Sequence, residues 1–233
     1  MLIFDNVTKV YRDGTHAVGD LTFAIGAGEF VILEGKSGAG KSTIIKLAIK
    51  DTIPTSGKVV VDGDDLKKIG KKNIPFLRRK IGVVFQDFKI IFDRTVAENI
   101  DLALDILGLP DKVIKDRRKE LLRLTGIESK ENVFPVQLSG GELQRVAIAR
   151  AIAGEPKILL ADEPTGNLDA ETGESIVKLL EQINAQGTTV IMATHDINLV
   201  KERKRRTITL EKGKIIKDTG EKAKKDEKTK NHD

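Results

Sequence analysis

The chain contains no cysteine and no tryptophan, and only one tyrosine and three histidines in 233 residues. Without thiols there is no disulfide, no thiolate nucleophile and no Cys-ligated zinc or iron–sulfur centre. The histidines, His16, His195 and His232, follow no repeated spacing, so a His-based metal site is not expected. Apolar runs reach only a handful of residues, far short of the ~20 that a bilayer requires. The first residues, MLIFDNVTKVYRDG, lack a basic region followed by an apolar block, so no secretory signal and no direct membrane span are expected. Any membrane role has to come through a partner.

The formal net charge is +5, but its location argues against nucleic acid. Lys201 to Asp233 hold 13 Lys and Arg against 7 Asp and Glu, whereas the other 200 residues hold 27 against 28. The body is therefore near neutral. The last stretch, KAKKDEKTKNHD, has nothing to bury, so residues 221–233 are expected to be a charged, disordered tail. Attraction to an anionic membrane leaflet is the other reading of that tail. No aromatic residues interleave the charge, so a nucleic-acid partner is not expected.

Short strand-like segments open the chain: MLIFDNV, LTFAI and EFVILEG. The last ends at a Gly-rich turn, and STIIKLAIK follows with helical spacing up to Pro54. TSGKVVVDG is a further strand between turn residues. From about Phe88 to Leu138 the texture becomes rich in Leu, Lys, Arg and Glu with helical period, and Thr95 with Glu98 forms a T-x-x-E capping box. Beyond it, GELQRVAIARAIAG and GESIVKLLEQINAQG read as helices, KILLAD and TTVIMATH as buried strands. TITLEKGKIIKDTG reads as a hairpin turned at Lys212-Gly213. Strands alternating with helices predict an α/β fold with a mostly parallel core sheet, an antiparallel β part and an inserted helical part at about 88–140.

Three segments carry chemistry. Gly35-Lys36-Ser37-Gly38-Ala39-Gly40-Lys41-Ser42 fits G-x-x-x-x-G-K-[ST] between a predicted strand and a predicted helix, the context that this motif requires. Its glycines let backbone N–H groups converge on phosphates, and the helix start adds a favourable dipole. Lys41 is placed to reach the β- and γ-phosphates, Ser42 to ligate Mg²⁺, and Thr43 to hold the α-phosphate side. The loop alone makes a nucleoside triphosphate the expected ligand and its hydrolysis the expected reaction, with the base unspecified. Lys157 to Glu163, KILLADE, is an apolar strand ending in two acids. Asp162 is expected to hold Mg²⁺ through water, and Glu163 to polarise the attacking water. LSGGE, Leu138 to Glu142, is a second anion-seeking helix start: Ser139 and Glu142 form a capping box, while Gly140 and Gly141 expose N–H groups. One nucleotide cannot obviously use both starts unless a second copy of the chain faces the first.

LSGGELQR resembles the signature of the ATP-binding cassette (ABC) ATPases, and the family's other motifs follow in its order. The resemblance covers about residues 1–217 and implies a nucleotide-binding domain over 1–220. Gln86 in VVFQD resembles the family's glutamine, which contacts Mg²⁺ and the attacking water. Asn167-Leu168-Asp169 resembles the loop that communicates across the dimer, and His195 in MATHD the switch histidine at the γ-phosphate. Tyr11 stands where the family places an adenine-stacking aromatic; an ordinary strand aromatic is the alternative, but its place as the single Tyr beside the Arg12-Asp13-Gly14 turn favours stacking. The resemblance thus implies a homodimer with ATP sandwiched, one chain giving Tyr11, Lys41, Ser42, Thr43, Gln86, Asp162, Glu163 and His195, the other Ser139 and Gly141.

IPFLRRKIGVVFQDFKIIFDRTVAENI, with DEPTGNLD and MATHDINLV, is most similar to the cell-division members of that family. That likeness implies an integral membrane partner and control of peptidoglycan hydrolases, on the cytoplasmic face of the bacterial membrane at the division site. Members that energise lipoprotein release or macrolide export share DEPTGNLD, and such an exporter is the alternative. The partner is expected to dock near Gln86–Phe92. There Lys89-Ile90-Ile91-Phe92 is either core packing or the wall of a groove for a partner helix, lined by Phe88, Ile91 or Phe92.

Overall fold

The computed structural model describes residues 1–196 and 203–220. The charged tail expected from residue 221 lies outside them. Two sheets organise these residues. In the four-stranded one, β1 (Leu2–Val10) pairs antiparallel with β2 (His16–Ile25) and with β4 (Ser56–Val61), which pairs with β5 (Asp64–Asp65). The six-stranded one also uses β3 (Phe30–Glu34), β6 (Ile81–Val84), β7 (Ile158–Asp162), β8 (Thr189–Thr194), β9 (Arg206–Glu211) and β10 (Lys214–Asp218). Its order is β10-β9-β3-β8-β7-β6, with β3 parallel to β9, β6 parallel to β7, and β10 antiparallel at the edge. The α/β fold with its mostly parallel core sheet is thus as expected.

The strand cores follow from their composition. β8 is buried at all six positions, and β3 and β7 at every position but the last. Runs of Val, Ile and Leu without alternation suit strands covered on both faces. The β9–β10 hairpin turns at Lys212 (φ 47°) and Gly213 (φ 77°), the paired left-handed residues of a tight hairpin, as expected from Lys212-Gly213.

Helices α1 (Lys41–Ala48), α2 (Ile74–Arg79), α3 (Val96–Asp105), α4 (Asp111–Thr125), α5 (Gly140–Ile152) and α6 (Ala170–Ala185) complete the architecture. The helical texture from Phe88 to Leu138 is realised as α3 and α4, and the Thr95–Glu98 box opens α3. Two outcomes differ from the sequence reading. The reading leaves IGVV unassigned, and it forms β6. Helix α6 begins at Ala170, not Gly173, because the Asp169 side chain accepts from Thr172 N at 2.9 Å and caps the extra turn.

The chain divides into two compact units, Met1–Ile74 with Ile191 onward, and Pro75–Val190. The first has its core where β2 and β4 meet α1, and Phe4 of β1 stacks on Phe23 of β2 at 4.7 Å. The second packs α3, α4 and α6 about the buried α5.

Candidate nucleotide site

In the first unit, β3 delivers the chain into the loop Gly35–Gly40, and α1 leaves it. The Gly35 amide donates to the Thr194 carbonyl at 3.3 Å, so the loop entrance is fastened next to His195. A Cβ on Gly35 would lie 2.7 Å from the Leu210 carbonyl oxygen. One on Gly40 (φ 106°) would lie 2.8 Å from Ala17 O. Both glycines are therefore required by close backbone approach. Lys41 is only 5% exposed, and its ammonium donates to the carbonyls of Gly35 (2.5 Å) and Lys36 (3.2 Å). The loop thus wraps its own lysine. Lys36, Ser37 and Gly38 form the exposed rim with Ser42, while Ala39 is buried and Thr43 half-buried.

The start of α1 is electrostatically singular. Gly40 caps it without a side-chain hydrogen bond, and its first turn holds no acid. In contrast, α3, α5 and α6 are capped by Thr95, Ser139 and Asp169 and carry Glu98, Glu142 and Glu171 in their first turns; α4 has Asp111. Among the described helices longer than one or two turns, α1 alone leaves its positive end uncompensated by capping or acidic side chains, the arrangement that attracts an anion.

Two further expected residues lie in this unit. His195 is exposed at the end of β8 and shares a cleft of about 530 Å³ with Gly35–Ala39 and with Thr209–Lys212. Tyr11 follows β1 at the hairpin tip, where its amide donates to Thr15 O at 2.9 Å. One face of its ring is met by the Lys9 ammonium, 5.0 Å from the centroid and itself held by the Ile53 carbonyl at 2.9 Å.

The second unit carries the other residues. Parallel pairing of Val84 with Ala161 sets the ends of β6 and β7 side by side. Gln86, Asp162 and Glu163 therefore emerge at one edge of the sheet, where open α/β folds place their ligands. The Gln86 amide nitrogen lies 3.6 Å from the point a Cβ on Gly166 would occupy, and Asn167 Nδ2 donates to Gln86 O at 3.4 Å. Glu163 is left-handed (φ 50°), a conformation that costs a non-glycine residue energy and concentrates at functional positions.

At the start of α5 the structure changes the sequence reading. Ser139 Oγ donates to Glu142 Oε2 at 2.8 Å and accepts from Glu142 N at 3.3 Å. Lys130 Nζ lies 3.0 Å from the same carboxylate. The Ser139 amide, Lys130 and the Ser139 hydroxyl together hold the Glu142 carboxyl below the usual glutamate range. This helix start is already compensated, so it is not equivalent to that of α1. Its glycines also serve packing: a Cβ on Gly140 would lie 3.3 Å from Leu168 Cδ2, and one on Gly141 2.5 Å from Thr172 Cγ2.

The lining of the groove expected at the docking segment differs from the sequence reading. Ile90 belongs to the core, Phe88 and Ile91 are half-buried, and Phe92 is 58% exposed. The apolar groove of this unit, about 420 Å³, is lined instead by Pro75, Ile81, Phe85, Ala103 and Leu107 with Arg79 and Arg150. Asn99, fully buried, exchanges hydrogen bonds with both the amide and the carbonyl of Ile91 and so holds the backbone next to the buried Ile90. Sequence reasoning missed Lys130, Asn99 and Arg150. Only the spacing of Thr95 and Glu98, which places Asn99 one position after the box, hinted at any of them.

With this geometry in view, comparison with known proteins is specific. Residues 18–166 match the ABC transporter family model, and the chain belongs to that family. It is an ABC-type ATPase. It is 48% identical to the cell division ATP-binding protein FtsE of Bacillus subtilis (strain 168), over 94% of this chain and 96% of that protein. Among solved structures it is similar to the dimeric post-hydrolysis state of the ATP-binding cassette MJ0796 bound to ADP and Pi. The TM-score there is 0.85 at 38% identity, covering 94% of this chain and 97% of that one. It is also similar to cbiO1 from Clostridium perfringens, part of the ABC transporter complex cbiONQ, with TM-score 0.88, 33% identity and coverage of 97% and 91%. The chain is accordingly the ATP-binding subunit of an ABC-type complex. No described helix is long and apolar enough to cross a membrane.

Proposed function

We propose that two copies of this chain close on two ATP–Mg²⁺ and that closure drives an integral membrane partner of FtsX type at the bacterial division site, regulating peptidoglycan hydrolysis. The observation that carries the nucleotide half of this reading is the start of α1: left-handed Gly40, no acid, and Lys41 wrapped by the loop. The relatives named FtsE support the division half.

In this reading Gly35–Thr43 cradle the phosphates and Tyr11 stacks on adenine. Ser42, Gln86 and Asp162 offer hydroxyl, amide and carboxylate oxygens, the hard donors that Mg²⁺ prefers. No cluster of three His, Cys, Asp or Glu exists among the described residues to hold a metal by itself, which suits an ion shared with phosphate oxygens. Glu163 orients the attacking water and His195 meets the γ-phosphate. Ser139, Gly140 and Gly141 come from the second copy. The membrane partner docks near Gln86–Phe92, beside the groove at Phe85, and holds the chain on the cytoplasmic face.

Glu163→Gln tests the catalytic assignment. It should keep ATP binding, lose about a hundredfold or more in kcat, the usual worth of a general base, and accumulate as an ATP-bound dimer by light scattering. Full ATPase activity of that variant with its membrane partner would overturn the assignment. Affinity purification from membranes tests the division reading. Co-purification of a lipoprotein or macrolide exporter, in place of an FtsX-type protein, would replace it.

A further inference from the structure

One residue beyond Gln86, after Asp87, two consecutive non-glycine residues are left-handed: Phe88 (φ 57°) and Lys89 (φ 50°). Each such residue carries a conformational cost, and a pair in succession persists only where its surroundings over-determine it. The Lys89–Asp87 ion pair at 2.6 Å is too exposed to supply much of this. The firm grip comes from elsewhere in the same unit. Arg150 Nη2 donates to the Phe88 carbonyl at 3.1 Å. Downstream, Asn99 Nδ2 donates to the carbonyls of Ile91 (2.9 Å), Arg94 (3.1 Å) and Thr95 (2.9 Å), while its Oδ1 accepts from Ile91 N at 3.0 Å.

Arg150 is the unusual member of this set. It lies half-buried on α5, and burial lowers the pKa of its guanidinium below the usual value. Among the described residues it meets no carboxylate, and its side chain's hydrogen-bond partner is that one carbonyl. Removing a cation from water without a counter-ion is expensive, so an apolar residue would serve packing better. The same helix is capped by Ser139, about 16 Å away at 1.5 Å per residue.

We propose that Arg150 is a positioning residue for Gln86. Its hydrogen bond to Phe88 O holds the left-handed turn that sets the direction in which Gln86 leaves β6, and α5 thereby ties that turn to the Ser139 end of the helix. This rests on the assignment of Gln86 to magnesium and the attacking water. Gln86 keeps its place because the turn cannot relax, and any rigid shift of α5 moves the Phe88 carbonyl with it.

Arg150→Met preserves length and removes the donors. In the full chain, kcat should fall about tenfold with the apparent KM for ATP within about twofold, and amide exchange over residues 87–91 should accelerate about tenfold, the order expected when left-handed residues lose their support. Adding Lys89→Gly should restore most of both losses, since glycine takes a positive φ without penalty. If Arg150→Met does not fold, Arg150→Lys, which keeps one donor, should show smaller losses that Lys89→Gly also repairs. Wild-type kcat and exchange in the Arg150 variant would overturn the proposal, as would losses that Lys89→Gly leaves unrepaired, since Arg150 would then act through α5 packing. Gln86→Ala separates the two layers. If it leaves kcat unchanged, the role of Gln86 falls, and the exchange measurements alone decide on Arg150.

Discussion

Two helices of this chain have glycine at their start, α1 at its cap and α5 at its first position, and their first turns are finished in opposite ways. At the start of α5 the chain supplies Ser139 as cap, Glu142 as first-turn acid and Lys130 as its counter-ion. At the start of α1 it supplies Gly40, no capping side chain and no acid. The partial positive charge of a helix start is thus cancelled internally in one case and left for a ligand in the other. Under the proposed function the contrast would set an order of events: nucleotide would seat first on the α1 loop, and the α5 start would engage it only once a second copy presented it. For Ser139 to donate to a phosphate, its hydroxyl has to leave Glu142.

The largest expected effect is at the uncompensated end. Lys41→Ala removes a cation and its charge-assisted bonds, and should weaken ATP binding about a hundredfold or more by calorimetry. Near-normal affinity would mean that the α1 start is not the primary seat. Ser139→Ala should behave differently. It removes a cap worth ~1 kcal/mol to the helix and should leave ATP binding to a single chain within about threefold, while abolishing ATP-dependent dimerisation in the Glu163→Gln background. Equal damage from both substitutions to single-chain binding would erase the distinction between the two ends.

A smaller effect is expected from Glu142→Gln. Glutamine still completes the capping box, so the helix should persist, but a negative charge beside the incoming phosphates is gone. The ATP concentration that half-saturates dimer formation should fall about threefold, the scale of a partly exposed charge interaction. A rise would show that Glu142 assists the nucleotide. The smallest effect is on stability against pH. The carboxyl of Glu142 is held below its ordinary value in the folded chain, chiefly by the Ser139 amide, so its contribution is complete above the usual glutamate range. It is lost as pH falls through the lowered value. Between about pH 5 and pH 3 the melting temperature of Glu142→Gln should therefore decline less steeply than that of the unsubstituted chain. Parallel declines would place the stabilisation elsewhere.

Much of this was legible beforehand, and the reasons are physical. The Gly35–Ser42 loop, the Thr95–Glu98 and Ser139–Glu142 boxes and the Lys212-Gly213 turn are local: residue type and spacing within a few positions specify them. What escaped depends on residues far apart in sequence. Lys130 neutralises Glu142, Arg150 reaches the carbonyl of Phe88, and Asn99 fixes the backbone at Ile91. No spacing rule carries these, because a backbone carbonyl as partner leaves no trace in residue type. Besides the N–H groups that the sequence reading assigns to them, Gly140 and Gly141 serve packing: a Cβ on Gly141 would clash with Thr172, and one on Gly140 would crowd Leu168. A loss of activity on substituting either glycine would therefore report on packing as much as on phosphate.

The enclosure of Lys41 by the carbonyls of Gly35 and Lys36 has a consequence for how costly binding is. A lysine free in solvent surrenders several rotatable bonds when it engages a ligand, and a glycine-rich loop surrenders more. Here both are already confined, so most of that entropy has been spent during folding. Nucleotide capture then resembles the filling of a mould that is set in advance, and its affinity should change little with substitutions that merely stiffen the loop.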